Sequence, residues 1–303
     1  MNSSILQFLE EVKIEYVQNA PMSEYTSFKI GGPADFLCSP RDINELKTLL
    51  RFCRDNEVPY FVLGNGSNLL VSDLGIEGIV ISLKHFNEIT YIPAYEISCG
   101  AGIKLSKLCT FALENSLSGL EFAWGIPGTV GGAIYMNAGA YGGEISFVLQ
   151  ECTFIDEEGN VVQADCSGLQ FGYRKSIFTD SNKIIISAKF LLKNDRKENI
   201  KAVMDDLIDR RRTKQPLEYP SAGSTFKRPT GFFAGALIEE CGLKGEQIGG
   251  AQVSEKHAGF VINVGNATCS DVLSLISKIK QDVFMQKSVT LEPEVKAVGR
   301  FGV

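Results

Sequence analysis

A chain of 303 residues is too long for one ordinary hydrophobic core and has the length of two or three domains. With 44% apolar and 22% charged residues it has a globular composition, which excludes a disordered or fibrous chain. A net charge of −6 gives no general affinity for nucleic acid, so any anion site must be local.

The N-terminus carries Glu10, Glu11 and Lys13 soon after a short apolar start, which is not a signal-peptide pattern. Leu46, Leu49, Leu50 and Cys53 follow helical spacing and predict a helix over 43–56. A short apolar strand over 60–63 stops at Gly64-Asn65-Gly66-Ser67-Asn68, and a buried strand follows over 79–83. This α/β unit sets a first domain at 1–83. A strand over 96–99, a helix carrying Leu105, Leu108, Ala112 and Leu113, and strands over 152–155, 161–164 and 184–192 set a second domain at 84–197. Gly159-Asn160 suits the turn between two of those strands. The third domain, 198–303, opens on a helix over 200–212 with Val203, Met204, Leu207 and Ile208 facing inward. Arg210, Arg211 and Arg212 in its last turn complement the helix dipole. A helix over 233–240 and a long helix capped by Thr268 or Ser270 complete the reading.

The eight cysteines are scattered without a C-x-x-C pair. Free thiols in a reducing cytoplasm, with no metal site, are expected. The longest uncharged stretch, 122–143, could span a bilayer by length, but its seven glycines describe a buried, looping backbone and no membrane insertion.

Five segments can carry chemistry. Tyr219 to Pro229 sets three hydroxyls and Gly223 beside Lys227 and Arg228, between prolines that exclude a helix. Neither His85 nor His257 is near in sequence, so Ser224 suggests a hydroxyl that gives up a proton beside an anionic substrate more than a hydrolase triad. Leu63 to Leu70 runs from strand into two glycines, exposing consecutive N–H groups that suit phosphate oxygens. It matches neither the dinucleotide fingerprint nor the Walker loop. The glycines of 125–143 suit close packing on a flat ligand, or of backbone on backbone; with the first loop they suggest a dinucleotide. Arg174, after Gly172-Tyr173, can fork onto a carboxylate. Pro293 holds its segment extended, so that Glu294 points to one face with Lys296.

Taken together, segments 26–35, 63–70, 125–143, 171–178, 222–227 and 291–295 resemble, in order and over nearly the whole chain, the flavin-dependent UDP-N-acetylenolpyruvoylglucosamine reductases of bacterial peptidoglycan synthesis. The resemblance implies an α+β protein. Two α/β subdomains form a vanillyl-alcohol-oxidase-type FAD-binding fold, followed by a C-terminal α+β substrate domain. It implies non-covalent FAD, NADPH as co-substrate and a UDP-sugar substrate in a cytoplasmic monomer. Flavin contacts would come from Lys29, Asn65, Gly66, Ser67, Asn68, Gly128, Thr129, Gly131, Gly132, Ala133, Asn137 and Gly139. Substrate contacts would come from Tyr173, Lys214 and Lys227.

The same likeness makes Arg174, Ser224 and Glu294 catalytic. Hydride addition to an enol ether conjugated to a carboxylate builds negative charge beside that carboxylate. Arg174 can stabilise the charge as a fixed cation. Glu294 helps only if protonated, and half-protonation at pH 7 takes about 3.7 kcal/mol, which burial and the incoming carboxylate would supply. Ser224 would protonate the remaining carbon, its alkoxide supported by Lys227 or Lys214. The chain departs from the better-known branch at 178–183, which is short and holds no tyrosine to cover the diphosphate; Lys214, Lys227 and Arg228 are the candidates. The rival readings are a flavin oxidase of the same fold acting on an alcohol or sugar, and a non-catalytic nucleotide-binding protein.

Overall fold

The computed structural model describes residues 2–302. Helix α1 (Asn2–Val12), which the apolar start did not foretell, buries Ile5 and Leu9, and its Phe8 ring stacks on Phe52 with centroids 3.9 Å apart. Helix α2 (Ile43–Asp55) buries Leu46, Leu49 and Cys53 as predicted, and Asp42 caps it by accepting the N–H groups of Asn44 and Glu45. One sheet has the strand order Glu15–Pro21, Pro33–Ser39, Ile76–Ser82, Tyr60–Leu63.

By contact the chain groups into two compact units. The first comprises residues 2–16, 37–65 and 80–210; the second, 17–36, 66–79 and 211–302. Segments 17–36 and 66–79 thus group with the C-terminal third. The reason is packing, since Phe28, Ile30 and Leu70 share one core with Leu237, Leu275, Ile279 and Val295.

The first unit holds an antiparallel five-stranded sheet in the order Val161–Asp165, Leu149–Ile155, Ile184–Leu191, Glu96–Gly100, Ile89–Ile92. Glu96–Gly100 alternates as a half-buried strand should, with Ile97 and Cys99 inward. Helix α3 (Leu105–Glu114) buries Leu105, Leu108, Cys109 and Ala112. Within the glycine-rich stretch, read as loop from sequence, a short helix forms: α4 (Val130–Tyr135), capped by Thr129 Oγ1, which accepts the Gly132 N–H at 3.3 Å. Val130 and Gly131 donate their N–H groups to the carbonyls of Ile103 and Ala101, and a Cβ on Gly131 would lie 3.1 Å from that of Ala101. Glycine here permits backbone on backbone.

Helix α5 (Lys197–Lys214) is longer than predicted. Ile200, Met204, Leu207 and Arg211 are buried, whereas Val203 is 47% exposed, so the inward stripe is rotated from the expected one. Arg211 belongs to that stripe.

In the second unit, α6 (Ala234–Glu240) and α7 (Cys269–Lys287) pack with the antiparallel strands Gln247–Ile248, Ala251–Val253 and Val261–Asn263. Thr268 is the cap of α7: its side chain accepts the Asp271 N–H while Asp271 accepts the Thr268 N–H. Asp73 accepts the next two N–H groups, those of Cys269 and Ser270. Strand Lys296–Val298 runs parallel to Leu69–Val71.

A turn over 254–260 is built around His257. Its Nδ1 accepts the Gly259 N–H at 3.0 Å, and its ring meets Phe260 edge-on. All eight cysteines are free, and burial pushes the thiols of Cys38, Cys53, Cys99, Cys109, Cys152 and Cys269 up to about 12, leaving them unreactive at neutral pH. Among the described residues no helix is long and apolar enough to cross a membrane.

Two predictions test these elements. Thr268→Ala removes the acceptor at the start of α7 and should cost about 1 kcal/mol, read as a lower urea midpoint with unchanged slope. Burial lowers the His257 pKa below its ordinary value, so the unfolded chain protonates this ring first. The stability it contributes is complete above pH about 6.5 and declines as pH falls below that value. His257→Asn, which keeps an acceptor for Gly259 but cannot titrate, should show a shallower fall in melting temperature between pH 7 and 5.5.

Candidate functional site

Ser224 is exposed, in the second unit, between Gly223 and the buried Thr225. Gly223 has φ +77, and a Cβ there would meet nothing within 4 Å, so glycine supplies conformation in a place open to a ligand. Thr225 holds the segment with three bonds. Its N–H donates to the Gly259 carbonyl at 2.8 Å, its Oγ1 accepts the Val261 N–H at 2.9 Å, and its carbonyl accepts the Glu294 N–H at 2.8 Å. The last bond brings Ser224 and Glu294, 70 positions apart in the chain, onto neighbouring backbone. Phe226, bridged to Pro293, and Val295 are both in the core, so each candidate sits beside a buried apolar anchor. Asn68 completes the support: its Nδ2 donates to the Glu294 carbonyl at 3.0 Å and its own carbonyl accepts the Lys296 N–H. Asn68, expected to serve the cofactor, therefore also holds the glutamate segment.

Arg174 lies in the first unit on a tight turn closed by two Gly172–Lys175 backbone bonds. Its φ is +56, at a turn position where glycine or asparagine is normal, and an L side chain there costs about 1–2 kcal/mol. Its Nη2 donates to the Gly139 carbonyl at 3.1 Å, and its guanidinium lies 5.1 Å from the Tyr173 ring centre. Tyr173 itself is 55% exposed.

The candidates for the cofactor divide into two groups. In the first unit Gly64, part of the 63–70 loop but not among the flavin contacts that the resemblance implies, meets α4. A Cβ on Gly64 would lie 2.9 Å from Thr129 Oγ1 and 3.9 Å from the Gly132 Cα. Both glycines are exposed, and the Asn65 side chain is tied back to the Pro127 carbonyl at 2.9 Å. Bare backbone from the 63–70 loop and from the first turn of α4 thus lies side by side, a surface that side chains would fill and that fits a flat ring or diphosphate at close range. The start of α4 offers less to phosphate than expected, because its first N–H groups are taken by Ala101, Ile103 and Thr129. Gly128 has only the Leu105 and Ile126 side chains at its Cβ position.

The other group faces inward. Ala133 is buried and Gly131 is pressed on Ala101. A Cβ on Gly139 would strike the Gly143 carbonyl at 2.7 Å. Asn137 departs most from the expectation: it is 1% exposed, with its side-chain amide bonded wholly to protein groups. In the second unit Gly66 has φ +61, and a Cβ there would lie 2.1 Å from the Tyr25 carbonyl. Ser67 is half-buried, and Lys29 is exposed on a turn with φ +59.

Of the candidate cations, Lys227 is ion-paired with Glu292, and the Arg228 guanidinium covers the Phe233 ring at 3.9 Å. Lys214 is exposed at the last position of α5. The histidines are engaged locally, His85 with Glu15 at 2.9 Å and His257 with Gly259. No cluster of metal-ligating side chains occurs among the described residues.

Residues 34–165 match an FAD binding domain, and residues 215–298 match the UDP-N-acetylenolpyruvoylglucosamine reductase C-terminal domain. The reductase of that name from Syntrophomonas wolfei is 49% identical over 299 residues, 99% of each chain. That from Clostridium novyi is 46% identical, over 99% of this chain and 96% of its own. The crystal structure of the enzyme from Thermus caldophilus superposes with a TM-score of 0.79 at 38% identity, covering 94% of this chain and 98% of that one. Berberine bridge enzyme from Eschscholzia californica, 17% identical with a TM-score of 0.50 over 63% of this chain and 43% of its own, speaks to fold alone, the FAD-binding fold of vanillyl-alcohol-oxidase type. With such identity over nearly its full length, the chain belongs to the UDP-N-acetylenolpyruvoylglucosamine reductase family.

Proposed function

We propose that the protein uses NADPH to reduce the enolpyruvyl group of UDP-N-acetylenolpyruvoylglucosamine to the lactyl ether, giving UDP-N-acetylmuramate, as a cytoplasmic monomer. The observation that carries this reading is the joint fixing of Ser224 and Glu294 through Thr225, in a chain whose relatives bear the reductase name. Held non-covalently, FAD would supply the hydride-transfer chemistry between NADPH and the terminal vinyl carbon. Gly64, Asn65, Thr129 and Gly132 are the residues best disposed to hold it, with Lys29, Ser67 and Gly128 as further contacts.

Arg174 binds the substrate carboxylate and stabilises the negative charge that grows beside it. The strain at its φ supports a task that a relaxed arginine on a surface would not need. Glu294, protonated, donates to the same charge. Ser224 then gives its hydroxyl proton to the substrate carbon. Serine is a weak acid, and the transfer proceeds because the carbanionic acceptor is a far stronger base. Lys214 and Lys227 support the resulting alkoxide; Lys227 would do so while sharing its charge with Glu292. Tyr173, exposed beside Arg174, lines the sugar-nucleotide side.

An alcohol or sugar oxidase of the same fold would consume oxygen with a reduced substrate, and a simple nucleotide binder would not oxidise NADPH. The decisive observation is colour. The purified protein should be yellow, bleach with NADPH, and regain its colour when the enolpyruvyl sugar is added without oxygen. A protein that bleaches but recovers only in air would support the oxidase.

Ser224→Ala should leave bleaching by NADPH intact and slow the sugar-dependent return of colour at least about a thousandfold; a wild-type rate would remove Ser224 as proton donor. Arg174→Ala should slow the same step by about 10²–10³-fold, the range for losing one fixed charge-stabilising donor.

A further inference from the structure

Asn137 is buried to 1% exposure at a φ of +43, in a stretch where small residues would pack with less cost. Its amide has two N–H donors and one carbonyl oxygen, and all are used. Nδ2 donates to Glu144 Oε1 and to the Gly172 carbonyl, each at 3.1 Å, and Oδ1 accepts the Ser146 N–H at 3.0 Å. The orientation is determined by chemistry. A flipped amide would set its oxygen against a carboxylate and a carbonyl, and its NH₂ against an N–H.

The partners show what this amide holds. Gly172 is the first residue of the turn that carries Arg174. Two residues beyond Asn137, Gly139 offers the carbonyl that receives the Arg174 guanidinium. Gly139 and Ala140 pair with Glu144 and Gly143 in a two-residue hairpin whose central residues, Tyr141 and Gly142, both have positive φ. One end of the turn is thus gripped by the Asn137 side chain and the guanidinium by the Gly139 carbonyl, with Glu144 and Ser146 bracing Asn137 from the far side of the hairpin.

We infer that Asn137, braced by Glu144, is a positioning residue for Arg174: it holds the strained turn so that the guanidinium is presented in one orientation, and it does not act as a flavin contact through its side chain. This rests on the catalytic reading of Arg174. A flavin contact would act on cofactor retention and on reduction by NADPH. A positioning residue for Arg174 acts on the step that follows, and acts only while Arg174 is there.

The experiment is a double-mutant cycle on the FAD-loaded protein with both half-reactions followed by flavin absorbance. Asn137→Ala should keep its FAD and bleach with NADPH within twofold of wild type, while the sugar-dependent return of colour slows about thirtyfold. In an Arg174→Ala background the same substitution should change that return by less than twofold. Glu144→Ala, which removes one acceptor and leaves no large hole, should show the same pattern at about fivefold, and carries the cycle if Asn137→Ala does not fold. Loss of FAD, slowed bleaching, or effects that multiply in the double variant would each overturn the positioning role while leaving Arg174 catalytic. A wild-type rate for Arg174→Ala alone would instead overturn the catalytic reading of Arg174, and the inference with it.

Discussion

The three bonds of Thr225 are the constraint on which the second unit's chemistry depends. A residue that is 4% exposed and spends its N–H and hydroxyl on the segment 259–261 and its carbonyl on Glu294 cannot shift without breaking buried hydrogen bonds. Each bond left unmade in such a place costs about 1–3 kcal/mol, which exceeds the strain of holding the neighbouring backbone in a tight loop. The exposed Ser224 and the half-buried Glu294 inherit this rigidity from a neighbour that no substrate needs to touch. The turn around His257 extends the support, because the Gly259 carbonyl that receives Thr225 belongs to the residue whose N–H is held by the His257 ring. Neutral histidine is the form that can accept there, so burial that keeps the ring uncharged also keeps this support in place.

Arg174 follows the same logic in the first unit. Its left-handed φ costs about 1–2 kcal/mol, and no single surface hydrogen bond would hold it against that. Two bonds across the Gly172–Lys175 turn, the Asn137 amide and the Ser176 hydroxyl donating to the Tyr135 carbonyl together outweigh the strain. The arginine is therefore held in an orientation that it would not keep by itself, which is the condition for a cation to act on charge as it develops without first reorganising.

Much of this was legible in the residues. Helical spacing located α2 and α3, because those elements bury a continuous apolar stripe, and a capping residue located the start of α7. α4 was not legible: three of its six residues are glycine or alanine, and it exists because Thr129 caps it and the Ala101–Ile103 backbone takes up its first N–H groups. The rotation of the α5 stripe toward Arg211 was hidden for a related reason, since an arginine reads as solvent-facing until its surroundings are known. The grouping of 17–36 and 66–79 with the C-terminal third depends on contacts of high sequence separation, and no local pattern encodes those.

The glycines show where a reading by residue type runs out. A glycine tells that a side chain is unwelcome, and leaves open whether protein or ligand occupies the space. At Gly66, Gly131, Gly139 and Gly143 the answer is protein, with a carbonyl, a methyl or the Phe122 ring already where the Cβ would go. At Gly64 and Gly132 the backbone is exposed, and the group against it is the capping hydroxyl of Thr129. The first set closes the scaffold and the second leaves bare backbone open to a ligand. Both are required of a fold that must bring main chain close to a flat cofactor and still keep its own loops from collapsing into the space that the cofactor takes.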